Sequence, residues 1–306
     1  MAGLAGTEID TLIFVPTVAV AVAMTGSSPG GSEKKMVAGT TANIAQDATG
    51  AVVSDIDEDT GSAVIPVPDT VVIFDFDWTM IDGNSDTFVV KQLGAKDVLE
   101  ERDKFGWTQL MDMAMKVLRA RGKTIEDIRT CLRRIEVKPA MSRSIRKMAA
   151  TPGFEIHIVS DANSMFISCV LEAAGLSDCI SAVHTNPAHV DEAGVLRVEP
   201  YQPVDNPHSC SICPSNMCKG LIVAGIRENR CAKDGRIIYL GDGKGDLCPC
   251  LRLHEGDAIF ARKGKFPLLQ LLREEEGRGG LKAKLISWAS ADDVELGLGL
   301  LLGWDK

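Results

Sequence analysis

Two periods of hydrophobicity run through this chain. Val71-Val72-Ile73-Phe74 is a short, continuous apolar run rich in β-branched residues, which predicts a strand buried on both faces. Phe154–Val159, Arg236–Leu240 and Ala258–Ala261 repeat that pattern. Between the first and second runs, from Thr87 through about Ala150, the period changes. Phe88, Val89, Leu93, Leu110, Met113, Val117 and Leu118 recur at three- and four-residue steps, and Gly94, Gly106, Gly122 and Pro139 divide the segment into several helices. Further helices are expected after Asn163, after Lys219, near Phe266–Glu275 and over Ala291–Leu302. Strands alternating with helices predict an α/β fold, a doubly wound parallel sheet with helices on its faces. Residues 180–209 read as irregular, with Asp191–Gly194 as a hairpin turn.

The pattern also sets the domains. Residues 69–82 and 151–306 read as one α/β core, and residues 83–150 as an inserted α-helical cap. Residues 1–68 hold mostly Gly, Ser, Thr, Ala and acid with scattered valines, too little apolar surface to offset chain entropy, so a disordered N-terminal extension is expected. Charge sharpens this division: the net charge is −9, and residues 1–70 contribute most of it with nine acids against two lysines. The rest is close to neutral and has no basic face interleaved with aromatics, which argues against nucleic acid as a partner. Leu12–Met24 is the nearest approach to a membrane span and is shorter than the roughly 20 apolar residues required. It also lacks the basic flank of a leader peptide. Nine cysteines, odd in number and irregularly placed, suit a reducing compartment, and the cytoplasm is the expected location. The oligomeric state is left open.

The candidate chemistry lies where the apolar runs end. Asp75 and Asp77, with Thr79 two further on, follow the first run, and an i, i+2 spacing in extended backbone puts both carboxylates on one side. Carboxylates that close repel unless a cation or a proton intervenes; an acidic turn is the plainer alternative. Ser160 ends the second run, where open α/β sheets bind ligands, although Ser160, Asp161 or Asn163 could equally cap the next helix. Lys219 opens a helix, where the macrodipole disfavours a cation, so an anion facing it would explain its place. Asp242 and Asp246 lie in the glycine-rich loop after the third run, which suits a metal site. Cys210, Cys213 and Cys218, with Cys248 and Cys250, could form a thiolate zinc site. Against that, Cys248-x-Cys250 has the wrong spacing for a second pair and falls within another motif. His184, His189 and His208 share no metal-ligand spacing and read as surface or turn residues.

In order, these pieces resemble the four motifs of the haloacid-dehalogenase superfamily of phosphohydrolases. More narrowly, Asn84-Ser85-Asp86, Ser160-Asp161-Ala162-Asn163, Thr185-Asn186-Pro187, Cys213-Pro214-Ser215-Asn216-Met217-Cys218-Lys219 and Gly241–Pro249 look like the phosphoethanolamine/phosphocholine phosphatase family. That family also holds pyridoxal-phosphate, thiamine-monophosphate and pyrophosphate hydrolases. The resemblance implies a Rossmann-type core and a small-molecule phosphate ester as substrate. It also implies Mg²⁺ held by Asp75, the main-chain carbonyl of Asp77 and Asp242, with Asp246 as ligand or support. Asp75 is then the nucleophile of an aspartyl-phosphate pathway and Asp77 the acid and base. Thr79, Ser160 and Lys219 contact the phosphate, and Asp86 the substrate's head group, unless Asp86 only caps the first cap helix. A catalytically idle cysteine-zinc module is the competing class.

Overall fold

Thr70–Phe74 forms strand β1 of a six-stranded parallel sheet in a computed structural model that describes residues 69–304. The extension expected over residues 1–68 lies outside the described residues. The other core strands are β2 (Phe154–Asn163), β3 (Ala182–Asn186), β6 (Arg236–Gly241), β7 (Ala258–Arg262) and β8 (Lys284–Trp288), while β4 (Ala188–Val190) and β5 (Leu196–Val198) make a separate antiparallel hairpin. The helices, in chain order, are α1 (Ser85–Gln92), α2 (Trp107–Ala120), α3 (Ile125–Leu132), α4 (Pro139–Ala149), α5 (Ser164–Ala174), α6 (Lys219–Arg230), α7 (Leu247–Cys250), α8 (Leu268–Gly277) and α9 (Ala291–Leu302).

The sheet order is β3-β2-β1-β6-β7-β8. Counting core strands alone, this is the 3-2-1-4-5-6 order of a doubly wound sheet, with its switch point beside β1. Strands β1, β2, β6 and β7 feed both faces. Val72, Phe74, Ile156, Ile158, Ile238, Leu240 and Phe260 join one apolar cluster, and Val71, Ile73, Val159, Ile237, Tyr239 and Ile259 the other. That is why β1 reads as unbroken hydrophobicity instead of alternation. Helices α4, α5 and α9 cover the first face through Ile145, Met148, Phe166, Val170, Val294 and Leu298; α6 and α8 cover the second through Val223, Ile226, Leu268 and Leu272. Leu110, Met111, Leu118, Ile128 and Leu132 of the cap join the first cluster, so cap and core share a continuous apolar interior.

Four expectations change. β2 runs four residues past Val159, and its pairing with β3 slips between Val159 and Asn163. β3 and the β4–β5 hairpin occupy part of the stretch expected to be irregular, although the turn does fall at Asp191–Gly194, where the Asp191 carboxylate accepts from the amides of Ala193 and Val195. β8, at the sheet edge and only half-buried, was not anticipated. His184 is also no turn residue: it sits on β3, its ring stacked on buried His157 at 5.5 Å. Among the described residues no helix is long and apolar enough to cross a membrane.

Candidate active site

Parallel register fixes the site. Phe74 is level with Ile158 of β2 and Leu240 of β6, so the residues just beyond them, Asp75, Ser160 and Asp242, emerge at one sheet edge. The Asp75 amide continues the ladder, donating to Leu240 O at 2.9 Å. The chain then makes a wide turn over Phe76–Met80, closed by the Ile81 amide on Phe76 O at 3.1 Å. Trp78 in this turn has φ 61°, and it is the one non-glycine residue in the left-handed region among those described. Such a conformation persists only where the surroundings enforce it. Arg262 supplies part of that enforcement: its guanidinium donates to Trp78 O and to the Asp82 carboxylate, and lies over the rings of Phe266 and Trp288 at 4.5 and 4.9 Å.

Asp75, Asp242 and Asp246 are buried, and their carboxylate oxygens approach within 4.8 Å of one another. Lys219, first residue of α6, reaches into them. Its Nζ lies 2.9 Å from Asp75 Oδ1 and 2.9 Å from Asp246 Oδ1, which supplies the anion that its position at a helix start called for. Burial alone would discharge this ammonium, but Asp246 and Asp75 outweigh it and hold Lys219 well above the usual lysine range. One lysine does not balance three acids. Burial, with Asp246 and Asp242 against Lys219, pushes the Asp75 carboxyl up; burial and Asp246 push Asp242 up to about 7. An all-oxygen cluster with surplus negative charge in a buried place is a fit for a hard divalent cation.

Within the cluster the acids differ. Asp246 takes four donors: Lys219 Nζ and Tyr239 Oη (2.7 Å) on Oδ1, and the amides of Asp242 (3.1 Å) and Gly243 (2.9 Å) on Oδ2. It organises the loop from within. Gly241 makes room, since a Cβ there would stand 2.7 Å from Asp246 Cγ. Asp242 keeps a looser environment, accepting from Thr79 Oγ1 at 3.3 Å.

Asp77 is held from the cap side. Asn84 Nδ2 donates to its Oδ2 and the Ser85 amide to its Oδ1, both at 2.8 Å. Burial pushes its carboxyl up to about 7 although the Ser85 amide favours the charged form. Two capping alternatives are now decided. Asn163, not Ser160, caps α5, accepting from the Phe166 amide at 3.0 Å; Asn84, not Asp86, caps α1, accepting from the Thr87 amide at 2.8 Å. Ser160 is fully buried and its Oγ accepts from the Ala162 amide at 3.2 Å, so its hydroxyl hydrogen is directed elsewhere. Asp86 is also buried; Oδ2 accepts from Trp107 Nε1 at 2.7 Å, while Oδ1 has no partner among the described residues.

The structure thus gathers Asp75, Asp77, Thr79, Lys219, Asp242 and Asp246, with Ser160 on the adjoining strand and Asp86 on the cap side. Sequence reasoning missed the working parts of Asn84, Trp107, Tyr239 and Arg262. Asn84 was legible as turn chemistry but not as a brace for Asp77; Tyr239 looked like strand filler. A cleft of about 390 Å³, bordered by Thr79, Asp82, Lys138, Arg262 and Trp288, touches this group only at Thr79.

A six-stranded Rossmann-type sheet that delivers a buried Asp-x-Asp at its switch point beneath a helical insertion is the architecture of the haloacid-dehalogenase hydrolases. Its likeness to a solved hydrolase of that type from Salmonella enterica serovar Typhi supports the fold, with TM-score 0.52, 19% identity, 79% of this chain and 73% of the other covered. The chain belongs to the family described as "Putative Phosphatase", whose profile matches residues 70–302, and it is therefore a phosphatase. Two relatives from Arabidopsis thaliana are a "Thiamine phosphate phosphatase-like protein", 40% identical over 74% of this chain and 92% of the relative, and "Inorganic pyrophosphatase 2", 42% identical over 74% and 81%. The human "Phosphoethanolamine/phosphocholine phosphatase" is 32% identical over 76% and 88%. Catalytic membership in this family sets aside the idle zinc module.

Proposed function

We infer that this phosphatase hydrolyses small phosphomonoesters with a cationic head group, phosphoethanolamine or phosphocholine first, through an aspartyl-phosphate on Asp75. The observation that carries the hydrolytic reading is Lys219 Nζ at 2.9 Å from both Asp75 and Asp246 inside a buried acid cluster. A Mg²⁺ ion held by Asp75, the main-chain carbonyl of Asp77 and Asp242, with Asp246 in support, would polarise phosphoryl oxygens and offset the charge of the dianion.

The protein's own groups account for the rest. The Phe76 amide and Lys219 both converge on Asp75 Oδ1, which leaves Oδ2 positioned to attack phosphorus. As the Asp75–phosphorus bond forms and the ester bond breaks, the leaving oxygen takes a proton from Asp77. A carboxyl raised to about 7 carries that proton in about half of the molecules at neutral pH and can both give and take it, and Asn84 and Ser85 fix its direction. Asp77 then accepts a proton from water as the water oxygen bonds phosphorus and Asp75 departs. The Ser160 hydroxyl donates to a phosphoryl oxygen, the Thr79 hydroxyl does so once it turns from Asp242, and Lys219 balances the charge brought together there.

Substrate choice rests on Asp86. Burial, then the charge of Asp77, pushes the Asp86 carboxyl well up against the Trp107 hydrogen bond, so its charged form is favoured only when a cation such as an ammonium or thiazolium stands at the unpartnered oxygen, and a second phosphate would gain nothing there. Thiamine monophosphate is thus compatible, whereas pyrophosphate and pyridoxal phosphate are less so. The pyrophosphatase relatives favour a second reading, in which inorganic pyrophosphate is the substrate. A phosphate-release panel over phosphoethanolamine, phosphocholine, thiamine monophosphate, pyridoxal phosphate and pyrophosphate, with and without Mg²⁺, separates them. Asp86→Asn is expected to raise KM for the cationic esters by roughly tenfold or more, through loss of a charged hydrogen bond to phosphoethanolamine and of a charge–charge contact with the N–H-free cations of phosphocholine and thiamine monophosphate, and to leave pyrophosphate unaffected. Preference for pyrophosphate with no Asp86 dependence would establish the second reading instead.

A further inference from the structure

Beside the acid cluster lies a second group of side chains that hydrolysis does not use. The Sγ atoms of Cys210, Cys213, Cys218 and Cys248 all fall within 4.8 Å of one another. Cys250, the expected partner of Cys248, is not among them; its side chain is buried in the apolar cluster under α8. Spacing in sequence had suggested two pairs. The fold instead takes three cysteines from one loop and the fourth from the start of α7.

We propose that Cys210, Cys213, Cys218 and Cys248 bind a structural zinc ion that staples the segment carrying Lys219 to the loop carrying Asp246. The sulfur spacing fits. Zinc–thiolate bonds of about 2.3 Å in a tetrahedron place neighbouring sulfurs roughly 3.8 Å apart. Cys210–Cys248 is 3.7 Å and Cys218–Cys248 is 3.8 Å. A disulfide needs sulfurs at about 2.05 Å, and all four cysteines are free thiols. Tetrahedral sulfur sites select zinc or iron, and zinc needs no redox partner here.

Hydrogen-bond donors face two of the four sulfurs. The amides of Ile212 and Cys213 point at Cys210 Sγ, as amides do around a metal-bound sulfur in a tight Cys-x-x-Cys turn. The Arg252 guanidinium hydrogen-bonds Cys248 and supplies a positive charge beside the group. His208 braces the loop without joining the cluster: Nε2 donates to Pro214 O at 2.8 Å, and Nδ1 accepts from the Cys210 amide at 3.2 Å. Gly220 allows the close approach, because a Cβ there would lie 2.5 Å from Cys248 Sγ and 2.7 Å from Arg252 Nε. Two of the four are buried and two half-buried, so the ion is sheltered yet reachable during folding.

The consequence is positional. Cys218 is the residue before Lys219, and Cys248 lies two after Asp246, so one ion ties together the two chain segments whose side chains meet at 2.9 Å.

The test needs no turnover, which keeps it separate from the hydrolytic reading. Full-length protein purified under reducing conditions without added metal is analysed for metals by mass spectrometry. About one zinc per chain is expected, retained through dialysis. Cells grown with cobalt in place of zinc should yield protein with the sulfur-to-cobalt charge-transfer and intense visible bands of a tetrahedral thiolate site. Cys210→Ser and Cys213→Ser, both at the half-buried rim and therefore tolerable to the fold, should each lose most of the metal and open the loop before Lys219 to protease; Cys179→Ser should lose none. Iron in place of zinc, a disulfide among the four, metal-free wild type that takes up no zinc when supplied with it, or full zinc content in a Cys210→Ser/Cys213→Ser double variant would each overturn the proposal.

Discussion

Asp246 shows how much of this site is settled by single side chains. Four donors converge on it, two from backbone, one from Tyr239 and one from Lys219, so anything that displaces its carboxylate also displaces Lys219. Gly241→Ala does so directly, because the new Cβ would meet Asp246 Cγ at 2.7 Å and the strand cannot yield. A loss of about 1–3 kcal/mol in urea unfolding is expected, with kcat falling more than KM rises; unchanged stability would mean that the loop adapts freely. Asp75→Asn removes the proposed nucleophile while retaining the shape. Phosphate release should drop by about three orders of magnitude or more, with native circular dichroism, and residual turnover at the wild-type level would exclude Asp75 from the chemistry. At this scale the sequence was informative wherever a residue type is unusual for its setting. Paired acids after an apolar strand, and a lysine at a helix start, stood out because each is costly without a partner. Tyr239 and Asn84 did not, since a tyrosine in a strand and an asparagine in a turn are ordinary there, and only coordinates show the acids they brace.

Elements tell a parallel story. β1, β2 and β6 were legible because strands buried on both faces must be apolar throughout. β3 and β8 flank the sheet and carry histidine, asparagine, lysine and serine, and the pattern that marks a central strand is absent from them. The capping of α1 and α5 was narrowed to a few residues by sequence but decided by φ/ψ and hydrogen bonding. One inter-element tie has a pH signature. Arg197 of β5 grips Asp112 of α2 through two bonds at 2.8 and 3.0 Å, with Lys116 and the Val198 amide adding to it. Burial disfavours the charged carboxylate, but these donors outweigh it and hold the Asp112 carboxyl down to about 2, against an ordinary value of 3.8. A depressed carboxyl stabilises the fold above its unfolded-state value and ceases to as pH falls through its folded one, so this contribution is lost between pH about 4 and about 2. Discounted for the exposure of its partners, it amounts to about 1–2 kcal/mol. Asp112→Asn should lower stability by that amount at neutral pH, flatten that part of the acid-unfolding curve, and speed amide exchange in α2 and the β4–β5 hairpin. Identical acid profiles for variant and wild type would remove the tie from the stability of the cap.

Across the whole molecule, the active site is a destabilising feature that its ligand should relieve. Asp75, Asp242 and Asp246 are buried together around a single ammonium, and the carboxyls of Asp75 and Asp242 are pushed up because folding brings like charges out of water. A cation that binds only the folded cluster stabilises it by about 2.7 kcal/mol at a free concentration one hundred times its Kd. For a folded region of this size, that corresponds to a Tm higher by roughly 5–10 °C. Titrating Mg²⁺ into protein dialysed free of it, and following thermal unfolding, should show this rise. Asp242→Asn supplies the contrast that makes the measurement diagnostic. Without one buried charge the metal-free variant should be at least as stable as wild type, and without that ligand its Tm should barely respond to Mg²⁺. An equal response in the variant would place the ion elsewhere, and no response in wild type would remove the divalent cation from the acid cluster altogether. The two acids that crowd Asp75 would then have to be neutralised by protons, leaving Lys219 as the ammonium in direct contact with the cluster to receive a phosphate dianion.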